Sequence, residues 1–113
     1  MKIIETSIFT KNVKNLLSDD EYRLLQNVLI KNPEIGKVMK GTGGLRKVRW
    51  GIKGKGKSAG IRTIYYWFKA NEIILMLLIY QKNEQDNLTT AQTKILKKIV
   101  DEEFLWKMNY LLS

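Results

Sequence analysis

A chain of 113 residues, 44% of them apolar, is long enough for one hydrophobic core and too short for two, so a single domain over residues 1–113 is expected. It has no Cys and no His, which excludes thiolate nucleophiles, His general acid–base pairs, Ser–His–Asp triads, disulfide frameworks and the usual zinc sites. The formal net charge of +9 points instead to a polyanionic partner.

Residues 2–9 (KIIETSIF) carry β-branched and aromatic residues and predict a first strand. A short helix is expected from Lys11 to Leu17. Ser18 and Glu21 form the spacing of a capping box, with Asp19, Asp20 and Glu21 against the positive end of a second helix. Tyr22, Leu25, Val28 and Leu29 share its apolar face, and Pro33 stops it. Residues 41–44 (GTGG) predict a loop with positive-φ backbone. Leu45 to Trp50 reads as a second strand, followed by the long Gly- and Lys-rich loop of residues 51–60. Ile61 to Phe68 and Glu72 to Tyr80 predict two more strands joined by a tight turn at Lys69, Ala70 and Asn71. The run IILMLLIY lacks alternation, as expected for a central strand buried on both faces. Thr89 and Gln92 predict a second capping box that opens a long helix, in which Leu96, Ile99, Val100 and Phe104 face the sheet. The apolar tail FLWKMNYLL is expected to complete the core, with packing in a dimer or against a partner as the alternatives.

The order strand, two helices, three strands, helix predicts an α+β domain with an antiparallel sheet of about four strands and its helices against one face. The longest apolar run is far shorter than a bilayer span, and the N-terminus lacks the apolar stretch of a signal peptide, so a cytoplasmic protein is expected, without a membrane partner.

The charge is unevenly placed. Ten basic residues lie between Ile35 and Asn71 with no Asp or Glu among them: Lys37, Lys40, Arg46, Lys47, Arg49, Lys53, Lys55, Lys57, Arg62 and Lys69. The rest of the chain holds ten basic and eleven acidic residues, so this third carries the whole excess. The alternating Gly and Lys of KGKGK suit a phosphate backbone, but the register of a P-loop is absent. Strand alternation places Arg62, Ile64, Tyr66 and Phe68 on one face, with Arg62 beside the loop, where a planar guanidinium suits bidentate phosphate binding. The alternative for Arg62 is a structural ion pair. Tyr65, Tyr66 and Trp50 could stack on exposed bases, with core packing as the alternative.

GTGGLRKVR, the KGKGK loop, GIRTIYY and IYQKNE, in this order and spacing, resemble the RelE/ParE superfamily of toxins, and its HigB-like branch in particular, over roughly residues 3–100. The resemblance implies a RelE-like fold: a twisted antiparallel sheet with two N-terminal helices and one long C-terminal helix. It also implies a toxin of a toxin–antitoxin pair that cuts translated mRNA in the ribosomal A site, leaving a 2′,3′-cyclic phosphate and a 5′-hydroxyl. Its partners would be the ribosome, mRNA and an antitoxin protein of helix-turn-helix type.

On the family's pattern, Arg62 is the best-matched catalytic residue, gripping the scissile phosphate. Lys55 and Lys57 are loop cations of the catalytic set, and Lys82 would neutralise the leaving oxygen. Arg46, Lys47, Arg49, Lys53, Tyr65 and Asn83 are the expected RNA or ribosome contacts, Asn83 standing where some relatives carry Arg. A tyrosine that serves as base in some members has no counterpart, since Asn87 and Leu88 occupy that region. Crowding of the loop lysines with other cations disfavours protonation of one of them and makes it a candidate base. The RNA 2′-hydroxyl supplies the nucleophile, so no cofactor or metal is called for. Two other readings share the fold: a gyrase poison of the ParE type, or a non-catalytic RNA- or ribosome-binding module.

Overall fold

A computed structural model describes the backbone of residues 1–52, 56–85 and 87–112, and the side chains of these except 52, 56–59 and 104–112. The elements are β1 (Lys2–Glu5), α1 (Ser7–Leu16), α2 (Asp19–Lys31), β2 (Lys37–Val38), β3 (Arg46–Ile52), β4 (Gly56–Phe68), a 3-10 turn (Lys69–Asn71), β5 (Ile73–Gln81) and α3 (Thr90–Leu112). The strands form one sheet in the order β1-β5-β4-β3-β2. β2 to β5 pair antiparallel, and β1 runs parallel to β5. The α+β expectation holds, with one more strand than expected, the two-residue β2.

The first strand is shorter than its composition suggested. It ends at Glu5 because Thr6 takes the N-cap of α1: its Oγ1 accepts from the Phe9 N–H at 3.1 Å and donates to the Leu77 carbonyl at 2.9 Å. One hydroxyl therefore starts the helix and ties it to β5. Phe9 and Val13 then turn inward one helical turn apart.

The α2 capping box forms as predicted. The Ser18 Oγ accepts from the Glu21 N–H at 3.1 Å, and the Glu21 carboxylate accepts from the Ser18 N–H at 2.9 Å. Leu25 and Leu29 are fully buried. The second box also forms: the Gln92 N–H donates to Thr89 Oγ1 and the Thr89 N–H to Gln92 Oε1, both at 3.0 Å. Phe104 and the apolar tail lie on α3 with side chains outside the described set.

The helices do not share one face of the sheet, contrary to the expectation. Phe9, Val13, Leu17, Leu25 and Leu29 pack against Val48, Ile61, Tyr65, Ile74, Met76 and Ile79 on one side. Leu96 and Val100 of α3 pack against Leu45, Ile64, Phe68, Ile73, Leu75, Leu77 and Tyr80 on the other. A sheet covered twice needs central strands that are apolar on both faces, and β5 supplies this with Ile73, Ile74, Leu75, Met76 and Leu77 all buried. Each fully buried aliphatic or aromatic side chain contributes about 1.5–3 kcal/mol. Among the described residues no helix is long and apolar enough to cross a membrane.

Candidate nucleic-acid interface

The register of β3, β4 and β5 sets Arg49 opposite Arg62 and Arg62 opposite Tyr80. Strand alternation gives Arg62 the same face as Ile64 and Phe68, the face that α3 covers. Arg49 is exposed at the rim of this row. Arg62 is only 4% exposed, with Nη1 3.5 Å from the Ile61 carbonyl, and it is a partnered group. In the isolated chain, then, Arg62 is the floor of the row, and Arg49 is its accessible cation.

Lys82 follows the end of β5. Its N–H donates to the Gly60 carbonyl at 3.2 Å, which brings it next to the residues that lead into Arg62. Asn83 is exposed in the turn closed by the Glu84 N–H to the Gln81 carbonyl at 3.0 Å. Lys53 and Lys55 lie outside the described residues. Lys57 lies on the β4 backbone with its side chain outside them.

Next to Arg49 the edge of the sheet opens into a recess of about 710 Å³. Lys37, Lys40, Lys47 and Arg49 line it, with Ile35, Val38, Met39 and Val48 between them, and no described acid contributes. Lys37 and Lys40, part of the basic middle third but not among the expected RNA or ribosome contacts, belong to this surface. They flank Val38 and Met39, and only Lys37 and Val38 form the edge strand β2, which is too short to show as a strand in the sequence.

Tyr65 and Arg46 hold the loop of residues 33–36 that leads into this recess. Tyr65 is fully buried, which corrects its assignment as a base-stacking residue. Its hydroxyl accepts from the Gly36 N–H at 2.9 Å and donates to the Pro33 carbonyl at 2.7 Å. Burial pushes the Tyr65 phenol above its ordinary value, outweighing the opposing effects of the Gly36 N–H and the nearby Arg46 charge. Gly36 has no room for a side chain, since a Cβ there would lie 2.6 Å from the Tyr65 ring. Arg46 is half-buried, and its Nη1 donates to the Gly36 carbonyl at 2.8 Å and the Glu34 carbonyl at 3.2 Å. The guanidinium expected to face RNA is thus spent on the loop of residues 33–36.

The other aromatic candidates are also packed. Tyr66 is half-buried, edge-on to Phe68 with ring centroids 4.7 Å apart, and Trp50 packs against the core beneath α1 and α2. The glycine loop forms as expected, with φ of 76° at Gly41, 73° at Gly43 and 104° at Gly44. Thr42 closes it, its Oγ1 donating to the Met39 carbonyl and accepting from the Leu45 N–H.

Among the described residues no group of acids could hold a metal ion. What the arrangement offers chemically is a set of fixed positive charges: it can grip a polyanion and stabilise developing negative charge.

The family model described as the RelE toxin of the RelE/RelB toxin–antitoxin system matches residues 1–111. Among solved structures, the isolated E. coli RelE toxin is 15% identical, with a TM-score of 0.54, covering 87% of this chain and 97% of that one. A double mutant of E. coli RelE in the free state is 14% identical with the same TM-score, covering 75% of this chain and 86% of that one. At such identities the structural likeness speaks for the fold alone, and that fold has the helices and sheet described above.

Proposed function

Because the chain belongs to the family of RelE toxins of RelE/RelB toxin–antitoxin systems, we propose that it is a ribosome-dependent endoribonuclease that stops translation by cutting mRNA in the A site. The observation that carries this reading is the cationic row across β3 and β4, with Arg49 opposite Arg62, Lys47 two residues before Arg49, and Lys82 beside the start of the Arg62 segment. In the reaction, the 2′-hydroxyl of the RNA attacks the adjacent phosphorus and loses its proton, and the bond to the 5′-oxygen breaks. That oxygen leaves as a hydroxyl, and a 2′,3′-cyclic phosphate remains. No outside nucleophile is needed.

On this reading Arg49 meets the phosphate first. Arg62, paired with Arg49 across the two strands, adds a fixed positive charge beneath it that stabilises the charge building on the phosphoryl oxygens. Losing one such donor costs about 2.7–4 kcal/mol in comparable sites, a rate loss on the order of 10²–10³. Lys82 stands where it could neutralise the leaving oxygen, and the loop lysines 53, 55 and 57 remain candidates for the base. Neutralisation by a RelB-type antitoxin belongs to the same proposal.

Mapping of 5′-hydroxyl ends after induced expression tests it. Discrete cuts in translated codons are expected, and they should fall at least a hundredfold with Arg62→Ala and survive in part with Arg62→Lys. Growth arrest with no new RNA ends would reject the nuclease, and a loss of DNA supercoiling would transfer the reading to a gyrase poison.

A further inference from the structure

β5 carries one residue more than β4 can match. Ile64 stands opposite Leu78 and Tyr65 opposite Met76, so Leu77 is passed over as a bulge. The bulge reverses the facing of the residues after it. Before it, Ile74 and Met76 pack on the side of α1 and α2, and Ile73, Leu75 and Leu77 on the side of α3. After it, Ile79 packs towards α1 and α2, and Leu78 and Tyr80 towards α3. Unbroken alternation would have put Tyr80 on the side of Met76. Arg62 stands opposite Tyr80 in the register and shares the α3 face with Ile64, so it is the bulge that sets a tyrosine ring beside the buried guanidinium. We propose that Tyr80 is a positioning residue for Arg62, its ring walling the β5 side of the guanidinium and keeping it turned toward Arg49 and the phosphate. The consequence for cleavage rests on the nuclease reading above, whereas the contact can be observed without it.

Three observations carry this assignment. The first is proximity under burial. Opposed side chains on one face of an antiparallel pair have Cβ atoms about 4.5–5.5 Å apart. With Arg62 4% and Tyr80 5% exposed, neither can avoid the other by turning into solvent. The second is charge. The cross-strand neighbours of Arg62 are Arg49 and Tyr80, neither of them an acid. The like charge of Arg49 pushes the Arg62 guanidinium toward β5, where it meets an aromatic ring, a surface on which a planar guanidinium stacks. The third is the lack of a substitute. Among the described residues, the other rings of the α3 face are Tyr66 and Phe68. At about 3.3 Å per residue, even Tyr66 stands roughly 13 Å along β4 from Arg62.

The effect falls on rate and not on capture. Arg49, exposed at the rim, meets the RNA whether or not Arg62 is well aimed. Arg62 acts as charge builds on the phosphoryl oxygens, and a group about 1 Å out of place costs on the order of 10²-fold in rate.

The test uses the full chain and ribosomes carrying a defined mRNA codon in the A site. Tyr80→Leu, which keeps the site apolar and buried, should cut at least about tenfold more slowly at saturation, with the half-saturating concentration within about twofold of the parent. Tyr80→Phe, which keeps the ring, should restore most of the rate. Adding Tyr80→Leu to Arg62→Ala should slow cleavage no further than Arg62→Ala alone, the mark of a residue that acts through Arg62. A general loss of structure would instead add to it. Circular dichroism checks that each variant folds. Independently of any variant, nuclear Overhauser effects in the parent chain should join the Arg62 side-chain protons to the Tyr80 ring. Their absence would overturn the proposal, as would Tyr80→Leu that cuts like the parent or a loss that adds to that of Arg62→Ala. A folded parent that leaves RNA uncut rejects the nuclease reading, and the ring contact then decides by itself whether Tyr80 holds Arg62.

Discussion

Removing the hydroxyl of Tyr65 isolates the contribution of a single atom, because Tyr65→Phe keeps the buried ring and its packing. The lost oxygen accepts from the Gly36 N–H, a buried donor, and donates to the Pro33 carbonyl, which is partly buried. A buried donor stripped of its partner costs about 1–3 kcal/mol. The Pro33 carbonyl can recover some water and adds roughly a further 0.5–1 kcal/mol. The expected loss is ~2–3 kcal/mol, which at about 4 °C per kcal/mol for a domain of this size lowers Tm by about 8–12 °C. Thermal unfolding followed by circular dichroism at neutral pH measures it directly. A shift below about 2 °C would show that the loop of residues 33–36 does not rest on Tyr65. Arg46→Ala combined with Tyr65→Phe should be non-additive, because both residues hold Gly36.

Other outcomes follow from single contacts. Gly36→Ala should destabilise by about 1–3 kcal/mol in urea titration, since the new Cβ would meet the Tyr65 ring at 2.6 Å. Ser18→Ala, which removes the reciprocal hydrogen bonds at the start of α2, should cost about 1 kcal/mol, and Ser18→Asn should restore most of it. Thr63 is fully buried, and its Oγ1 has no hydrogen-bond partner among the described residues; Thr63→Val should therefore raise stability by about 1 kcal/mol, and a loss would reveal a partner for that hydroxyl. Tyr22 and Tyr65 both hold their phenolic protons more tightly when folded than the ordinary tyrosine value of 10.0, through burial first and, for Tyr22, the Glu5 carboxylate that accepts its hydroxyl. Their contribution is complete below about pH 10 and is lost as pH rises through the folded values, because the unfolded tyrosines ionise first. The fall of Tm above pH 10 should accordingly be shallower in Tyr22→Phe than in the parent chain.

Local features were legible because they depend on neighbours in the chain. Both capping boxes, the stop before Pro33, the positive-φ glycines and the doubly buried strand IILMLLIY follow from spacing, backbone sterics and hydrophobic pattern within a few residues. The lack of His and Cys and the basic middle third are likewise properties of the sequence alone. The motifs that resemble the RelE/ParE toxins were in the sequence too, and the match over residues 1–111 bears out that family.

Tertiary structure decided how the charges are used. No local signal distinguishes Arg46, turned onto the Glu34 and Gly36 carbonyls, from Arg49, which is exposed three residues later. Nor does the sequence show that Tyr65 is buried as a clamp, that Arg62 lies in the floor, or that Thr6 caps a helix inside a β-branched stretch. Each of these outcomes depends on partners brought close only by folding: Leu77 for Thr6, Gly36 for Tyr65, and the register of β3, β4 and β5 for the arginines. A side chain's chemistry is written in the sequence, but whether it meets solvent or a backbone carbonyl is set by contacts across the fold.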